Sequence, residues 1–120
     1  MAKKIQGGLR AAFNGFKETV VFEKNFKVMI IIALIVVVAM FYFPTSRLEK
    51  VVLFLAVFSV LILELINTTI ERIMDMVTSA YDERVRIIKD LMAAIVLLAS
   101  FGSAVVGVVI FWPYLSALFR

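Results

Sequence analysis

The sequence has 120 residues, 63% of them hydrophobic, with a net charge of +4 and a mean hydropathy of +1.04. Soluble domains are about 45 to 50% apolar, so this composition predicts a protein embedded in lipid. Cysteine and histidine are both absent from the sequence, which excludes disulfides, thiol catalysis, imidazole acid–base chemistry and the usual zinc sites. Any chemistry must therefore use carboxylates, amides and cations.

The first 27 residues have the pattern of an amphipathic helix that lies on a membrane surface. Apolar residues recur three and four positions apart, and basic residues fall between them. The segment carries six Lys or Arg residues against Glu18 and Glu23, whereas the rest of the chain is balanced in charge. An anionic leaflet attracts such a segment by about 1 kcal/mol per basic residue near the surface. We predict a surface helix over residues 1–25.

Three segments with few charges follow, and each is predicted to hold a transmembrane helix. The first is uncharged over residues 28–43, which is short against the ~20 residues a span usually needs, and Phe26 with the aliphatic stem of Lys27 extends it. The second starts within residues 51–63, and its pattern continues to about Val77, a rod of ~40 Å against a hydrocarbon core of ~30 Å. Its last turns should therefore stand in water.

The third segment is uncharged over residues 91–119, and Pro113 is expected to loosen the helix at an interface. We predict a single domain over residues 1–120, with spanning helices in 26–43, 48–77 and 90–118 and connections near 44–50 and 78–88. Ten basic residues lie near span ends on the N-terminal side against three on the other, which predicts a cytoplasmic N-terminus.

The second helix carries a polar stripe towards its cytoplasmic end. Its members are spaced i, i+3, i+7 and i+11, which places them on one helix face: Glu64, Asn67, Glu71 and Asp75. A carboxylate near mid-bilayer costs about 2.5 to 3.5 kcal/mol, so each needs compensation. Pairing with Arg72, Lys89 or water would explain one such group, but three carboxylates and an amide together favour a functional site.

Oxygen ligands without histidine or cysteine suit a hard cation such as Mg²⁺, which is usually bound by one or two carboxylates plus substrate phosphates. Lys89 and Asp90 open the third span at the same membrane level, and Glu23 closes the surface segment there too. Metal, cation and positioning groups are what phosphoryl transfer requires. The sequence has no G-x-x-x-x-G-K-[ST], H-R-D or D-F-G motif, so a kinase with this sequence is unrelated to soluble kinases.

Residues 64–75 closely resemble the signature E-x-x-N-[ST]-[SA]-x-E-x-x-x-D of the prokaryotic diacylglycerol kinase and undecaprenol kinase family, the small bacterial membrane lipid kinases. Lys89 and Asp90 resemble the K-D pair of that family, and residues 23–27 resemble its E-x-N-F-[RK] element. The resemblance runs from the surface helix to the end of the third span. It implies an all-α membrane protein with a surface helix, three transmembrane helices and a homotrimeric bundle.

The resemblance also implies roles for individual residues. Glu64 would be the general base on the hydroxyl of the lipid, and Glu23 and Glu71 would hold the Mg²⁺ that is bound to ATP. Asn67 would help to position the bound metal and nucleotide.

Three further residues are implied to form the nucleotide site. Lys89 would meet the ATP phosphates, Asp90 would belong to the site, and Asp75 would lie close to it. The expected partners are ATP, a membrane lipid alcohol, the bilayer and further copies of the chain, with no nucleic acid. The expected location is the bacterial inner membrane, with the active site cytoplasmic.

Family members often carry His where Met29 stands, a small residue at Met92 and Ala at Thr69. These departures concern lipid fit and helix packing more than chemistry. The element at residues 23–27 favours undecaprenol as the acceptor, with diacylglycerol as the alternative. Two other classes of function stay open: a small ion-coupled transporter, and a structural subunit whose stripe docks a basic helix. The cytoplasmic position of the stripe argues against a transporter, because transporter sites usually lie near the bilayer midplane.

Overall fold

The computed structural model describes residues 2–120, with side-chain surroundings from residue 3 onward, and over this range the chain is four helices without a strand. The helices are α1 (Ala2–Phe22), α2 (Lys24–Tyr42), α3 (Arg47–Val77) and α4 (Glu83–Leu118). By length and composition, α2, α3 and α4 are each able to cross a membrane. The predicted all-α membrane fold, with an N-terminal helix and three spanning helices, is confirmed.

The break between α1 and α2 falls at Glu23, earlier than the predicted boundary near residue 25. Glu23 has extended backbone angles, φ −100° and ψ 110°, so α1 ends at Phe22 and α2 begins at Lys24. We call this break at Glu23 the elbow. Phe26 packs beside it: the side chain is fully buried and meets Phe16 edge to face, with ring centroids 5.5 Å apart. The surface helix and the first span are therefore joined by a single non-helical residue.

The connections between the spans are shorter than the sequence suggests. Ser46 and Glu49 form a capping box, because the Ser46 Oγ accepts from the Glu49 N–H at 3.1 Å and Glu49 Oε1 accepts from the Ser46 N–H at 2.9 Å. This cap starts α3 at Arg47. The side chain of Asp82 caps α4 by accepting from the Arg84 N–H at 2.8 Å, so α4 starts at Glu83 rather than near residue 90.

The charged residues at the start of α4 are helical because they pair along the helix. Arg86 Nη1 lies 2.7 Å from Asp90 Oδ2 at i, i+4, and Arg86 also pairs with Glu83 at i, i+3. Such pairs stabilise a helix exposed to water. α4 continues through Pro113 to Leu118. Membrane helices tolerate proline where neighbouring groups satisfy the freed carbonyl.

The helices pack as a row, with α3 between α2 and α4, and α1 against α2. Few apolar side chains are buried within the described part of the chain: Phe26, Met40, Leu53, Met92 and Val96. Most of the others on α2, α3 and α4 are exposed, as expected for helices that face lipid or another protein chain.

At the end away from α1, α4 is tied to the start of α3. The Tyr114 hydroxyl donates a hydrogen bond of 2.7 Å to Glu49 Oε1, and its ring stacks on Phe43 with centroids 5.8 Å apart. Lys50 Nζ donates to the Thr45 carbonyl at 2.6 Å, and Thr45 Oγ1 donates to the Met40 carbonyl at 2.7 Å. Hydrogen bonds to α2 and α3, together with the contact from α4, thus hold the α2–α3 connection in place.

Replacing Tyr114 by Phe should lower the midpoint of unfolding in mixed detergent micelles, because it removes the hydrogen bond to Glu49 and leaves the ring in place. Tyr42→Phe is the matched control, since the exposed Tyr42 hydroxyl makes no hydrogen bond within the described residues. Equal midpoints for the Tyr114→Phe variant and the parent protein would show that this bond contributes nothing to stability.

A second prediction concerns pH. Hydrogen bonds from the Arg84 guanidinium and backbone N–H lower the pKa of the Asp82 carboxyl below its ordinary value. Because the pKa is lower in the folded state, this stabilisation is complete above the unfolded pKa and disappears as the pH falls through the folded value. Between about pH 5 and pH 2, unfolding midpoints of the parent protein should therefore fall more steeply than those of Asp82→Asn. Parallel curves would contradict the assignment.

Candidate functional site

The polar stripe of α3 runs from a buried end to an exposed end. Glu64 and Thr68 are each only 6% exposed, Asn67 is half-buried, and Glu71 and Asp75 are exposed. At ~1.5 Å per residue, the stripe is about 16 Å long. One helix face therefore joins the packed, apolar part of the molecule to its charged end.

Glu64 is the buried carboxylate of this stripe. Within the described residues, no hydrogen bond or ion pair reaches its side chain. A carboxylate so placed is available to accept a proton from a substrate hydroxyl, provided the substrate lies within hydrogen-bond reach.

The side-chain oxygen of Asn67 is the second unusual group. Asn67 Oδ1 is buried and has no hydrogen-bond partner in the part of the chain that the structure describes. Burying an acceptor without a partner costs about 1 to 3 kcal/mol, so such an atom calls for a partner such as a water molecule or an ion. An unpaired amide oxygen beside two carboxylates is a suitable donor set for a hard cation or its hydration shell.

Glu23 reaches α3 from the elbow between α1 and α2. It occupies the N-cap position of α2, but its side chain does not cap that helix. Its Oε1 lies 3.5 Å from Arg72 Nη2 instead. The elbow therefore brings Glu23 to the level of Arg72 and so of the neighbouring Glu71 on α3.

On the other side of α3, the predicted nucleotide residues meet at the α3–α4 connection. Lys89 Nζ donates to Asp75 Oδ1 at 2.8 Å. These two residues, with Asp90 and the connection from Thr78 to Asp82, line a cavity of about 480 Å³. Asp90 is held by Arg86 and makes no direct contact with Asp75 among the polar contacts described.

Pairing with Arg72 or Lys89 explains only part of the acidic stripe. Lys89 compensates Asp75, whereas Arg72 contacts Glu23 and leaves Glu64 and Glu71 without an ion pair in the described residues. No group of three or more carboxylates in residues 2–120 comes together as a metal cluster.

Three features of this end were not predicted from sequence. The residues of the α3–α4 connection line the cavity, with Tyr81 among them, and Arg86 links Glu83 to Asp90. The i, i+3 and i, i+4 spacing of these charges was a usable signal for Arg86. The contact between Glu23 and Arg72 had none, because it joins residues far apart in the sequence.

The part of the chain that matches known proteins includes every residue of this site. The family described as prokaryotic diacylglycerol kinase matches residues 10–111. Undecaprenol kinase of Bacillus subtilis is 32% identical over 104 residues, which are 87% of this chain and 85% of the relative. Diacylglycerol kinase of Synechocystis sp. is 30% identical over 119 residues, which are 98% of this chain and 68% of the relative.

The match includes the elbow, the polar stripe and the start of α4, and the relatives share a lipid kinase activity in name. The fold has the surface helix and three spanning helices that the resemblance implied. The chain belongs to the prokaryotic diacylglycerol kinase family and is a membrane lipid kinase.

Proposed function

We propose that this lipid kinase transfers the γ-phosphoryl group of ATP, with Mg²⁺, to the terminal hydroxyl of undecaprenol. The observation that carries the reaction is the buried, unpaired Glu64 carboxylate on the stripe that leads to the charged end of α3. Undecaprenol is favoured by the element at residues 23–27 and by the 85% coverage of the Bacillus subtilis undecaprenol kinase. Diacylglycerol is the alternative acceptor.

In this proposal Glu64 accepts the proton of the lipid hydroxyl as the hydroxyl oxygen attacks the γ-phosphorus. The bond from that phosphorus to the β,γ-bridging oxygen breaks, and ADP leaves. Burial keeps Glu64 away from bulk water, so the proton passes to the carboxylate directly. The products are the lipid phosphate and ADP.

Glu23 and Glu71 are proposed to hold the metal, with the unpaired Asn67 oxygen helping to orient it. The metal, when bound, neutralises charge on the phosphate oxygens. Lys89 is proposed to leave Asp75 and meet the ATP phosphates, because an ammonium group only 2.8 Å from one exposed carboxylate can exchange that partner for another anion. Asp75 and Asp90 stay beside the nucleotide.

The same proposal places the N-terminus and the active site on the cytoplasmic side of the bacterial inner membrane. ATP is soluble in water and the acceptor is soluble in lipid, so a stripe that joins a buried and an exposed end suits both. A homotrimer is proposed because the helices leave much apolar surface uncovered, and partner helices would cover the polar stripe.

The leading test is transfer of labelled γ-phosphate from Mg-ATP by the purified protein in lipid-detergent micelles. Undecaprenol and diacylglycerol are offered separately. Glu64→Gln should lower turnover by about 10² to 10⁴-fold, because it removes the base and retains the shape of the side chain. Glu18→Gln, on the exposed part of α1, is the matched control and should keep full activity.

Label on undecaprenol alone is the expected result. Label on diacylglycerol alone would make diacylglycerol the acceptor and leave the proposed mechanism unchanged. No label on either lipid, from protein shown to be folded, would overturn the proposal and favour ion-coupled exchange that ignores ATP.

The metal assignment makes a separate prediction. Glu23→Gln and Glu71→Gln should each raise the Mg²⁺ concentration needed for half-maximal transfer, and excess chelator should stop the reaction in all proteins. Glu18→Gln again provides the same chemical change outside the site. Unchanged Mg²⁺ dependence in both Glu23→Gln and Glu71→Gln would remove these residues from the metal site.

A further inference from the structure

Arg72 is a charged residue at the site that the proposed mechanism does not use. It follows Glu71 directly on α3, and its guanidinium is the cation that approaches Glu23, with Nη2 3.5 Å from Oε1. The two side chains are 54% and 37% exposed, so water reaches this pair. The contact joins α3 to the elbow between α1 and α2.

The backbone explains why Glu23 is free to make this contact. As the N-cap of α2 with extended angles, Glu23 could accept from the first N–H groups of that helix, yet it makes no such bond. The polar partner of its carboxylate in the described residues is Arg72. Lys89, the other cation beside the stripe, is already paired with Asp75 at 2.8 Å. Each of the two cations therefore holds a different carboxylate.

We propose that Arg72 is an internal counter-ion that competes with a divalent cation for the carboxylate of Glu23. The inference rests on the proposed function, in which Glu23 is a metal ligand. A guanidinium stays protonated at any physiological pH, so it opposes a second cation on the same oxygens by charge repulsion. Arg72 is thus a positioning residue that sets how tightly the site holds its metal.

Neutralising Arg72 should then tighten metal binding in the absence of nucleotide. The pair is partly exposed and its distance is long, so the expected change is about two- to fivefold in the dissociation constant. A purely structural role for Arg72 predicts the opposite sign, because loss of the contact would leave Glu23 less well placed and weaken binding.

The test is a Mn²⁺ titration of the full-length protein in lipid-detergent micelles, followed by the relaxation of water protons. Arg72→Gln and Arg72→Met, which both lose the charge, should bind Mn²⁺ about two- to fivefold more tightly than the parent protein. Arg72→Lys keeps the charge and should stay within about twofold of the parent. Two neutral variants are used so that a folding defect in one does not end the test.

Arg84→Gln is the matched control for a general loss of positive charge at the same end of the molecule. Arg84 is 89% exposed and pairs with Asp82. Its loss should leave Mn²⁺ binding unchanged. Glu23→Gln should weaken binding, and adding Arg72→Gln to Glu23→Gln should then have no further effect, because the shared carboxylate is gone.

Three outcomes would overturn the proposal. Unchanged or weaker binding in the neutral Arg72 variants would exclude competition while Glu23 remains a ligand. If Arg84→Gln tightened Mn²⁺ binding as much as the neutral Arg72 variants, the effect would come from the loss of positive charge in general and not from the Arg72–Glu23 contact. Unchanged binding in Glu23→Gln would remove Glu23 from the metal site and with it the basis for competition by Arg72, and the labelled-phosphate assay would then decide separately whether the kinase proposal survives.

Discussion

The length of α3 relative to the bilayer is the constraint on which the site depends. At ~1.5 Å per residue its 31 residues extend about 46 Å, whereas the hydrocarbon core is ~30 Å thick. The 36 residues of α4 extend about 54 Å, but the 19 residues of α2 only about 28 Å. α3 and α4 are therefore each long enough to extend beyond the hydrocarbon core, whereas α2 is not. The elbow at Glu23 lies at the start of α2.

Charge at this end changes with depth. Two carboxylates on the exposed turns are paired with cations, Asp75 with Lys89 and Asp90 with Arg86. The deeper Glu64 has no such partner within the described residues. In the proposed mechanism, the nucleotide meets the exposed charge pairs and the lipid hydroxyl meets the buried Glu64 carboxylate.

Much of this arrangement follows from periodicity and composition. The apolar runs predicted the three spans, and the i, i+3, i+7 and i+11 spacing placed the stripe on one face of α3, because a helix repeats every 3.6 residues. The start of α4 was missed because charges were read as a connection, whereas Arg86 pairs with both Glu83 and Asp90 within the helix.

The approach of Glu23 to Arg72 could not be predicted, since it depends on the angle of the elbow. Local spacing carries no information on a contact between separate helices.

The small interior has a consequence for how such a sequence can change. Five apolar side chains are buried among the described residues. In lipid there is no hydrophobic driving force to bury more of them, because the lipid tails are themselves apolar. Exchanges among Ile, Val, Leu and Phe on the outer faces alter no interior packing of the chain and are felt by whatever surrounds it. Two relatives at 32% and 30% identity fit this architecture. The apolar composition of these faces is therefore set by the surrounding membrane or protein and not by the interior of the chain.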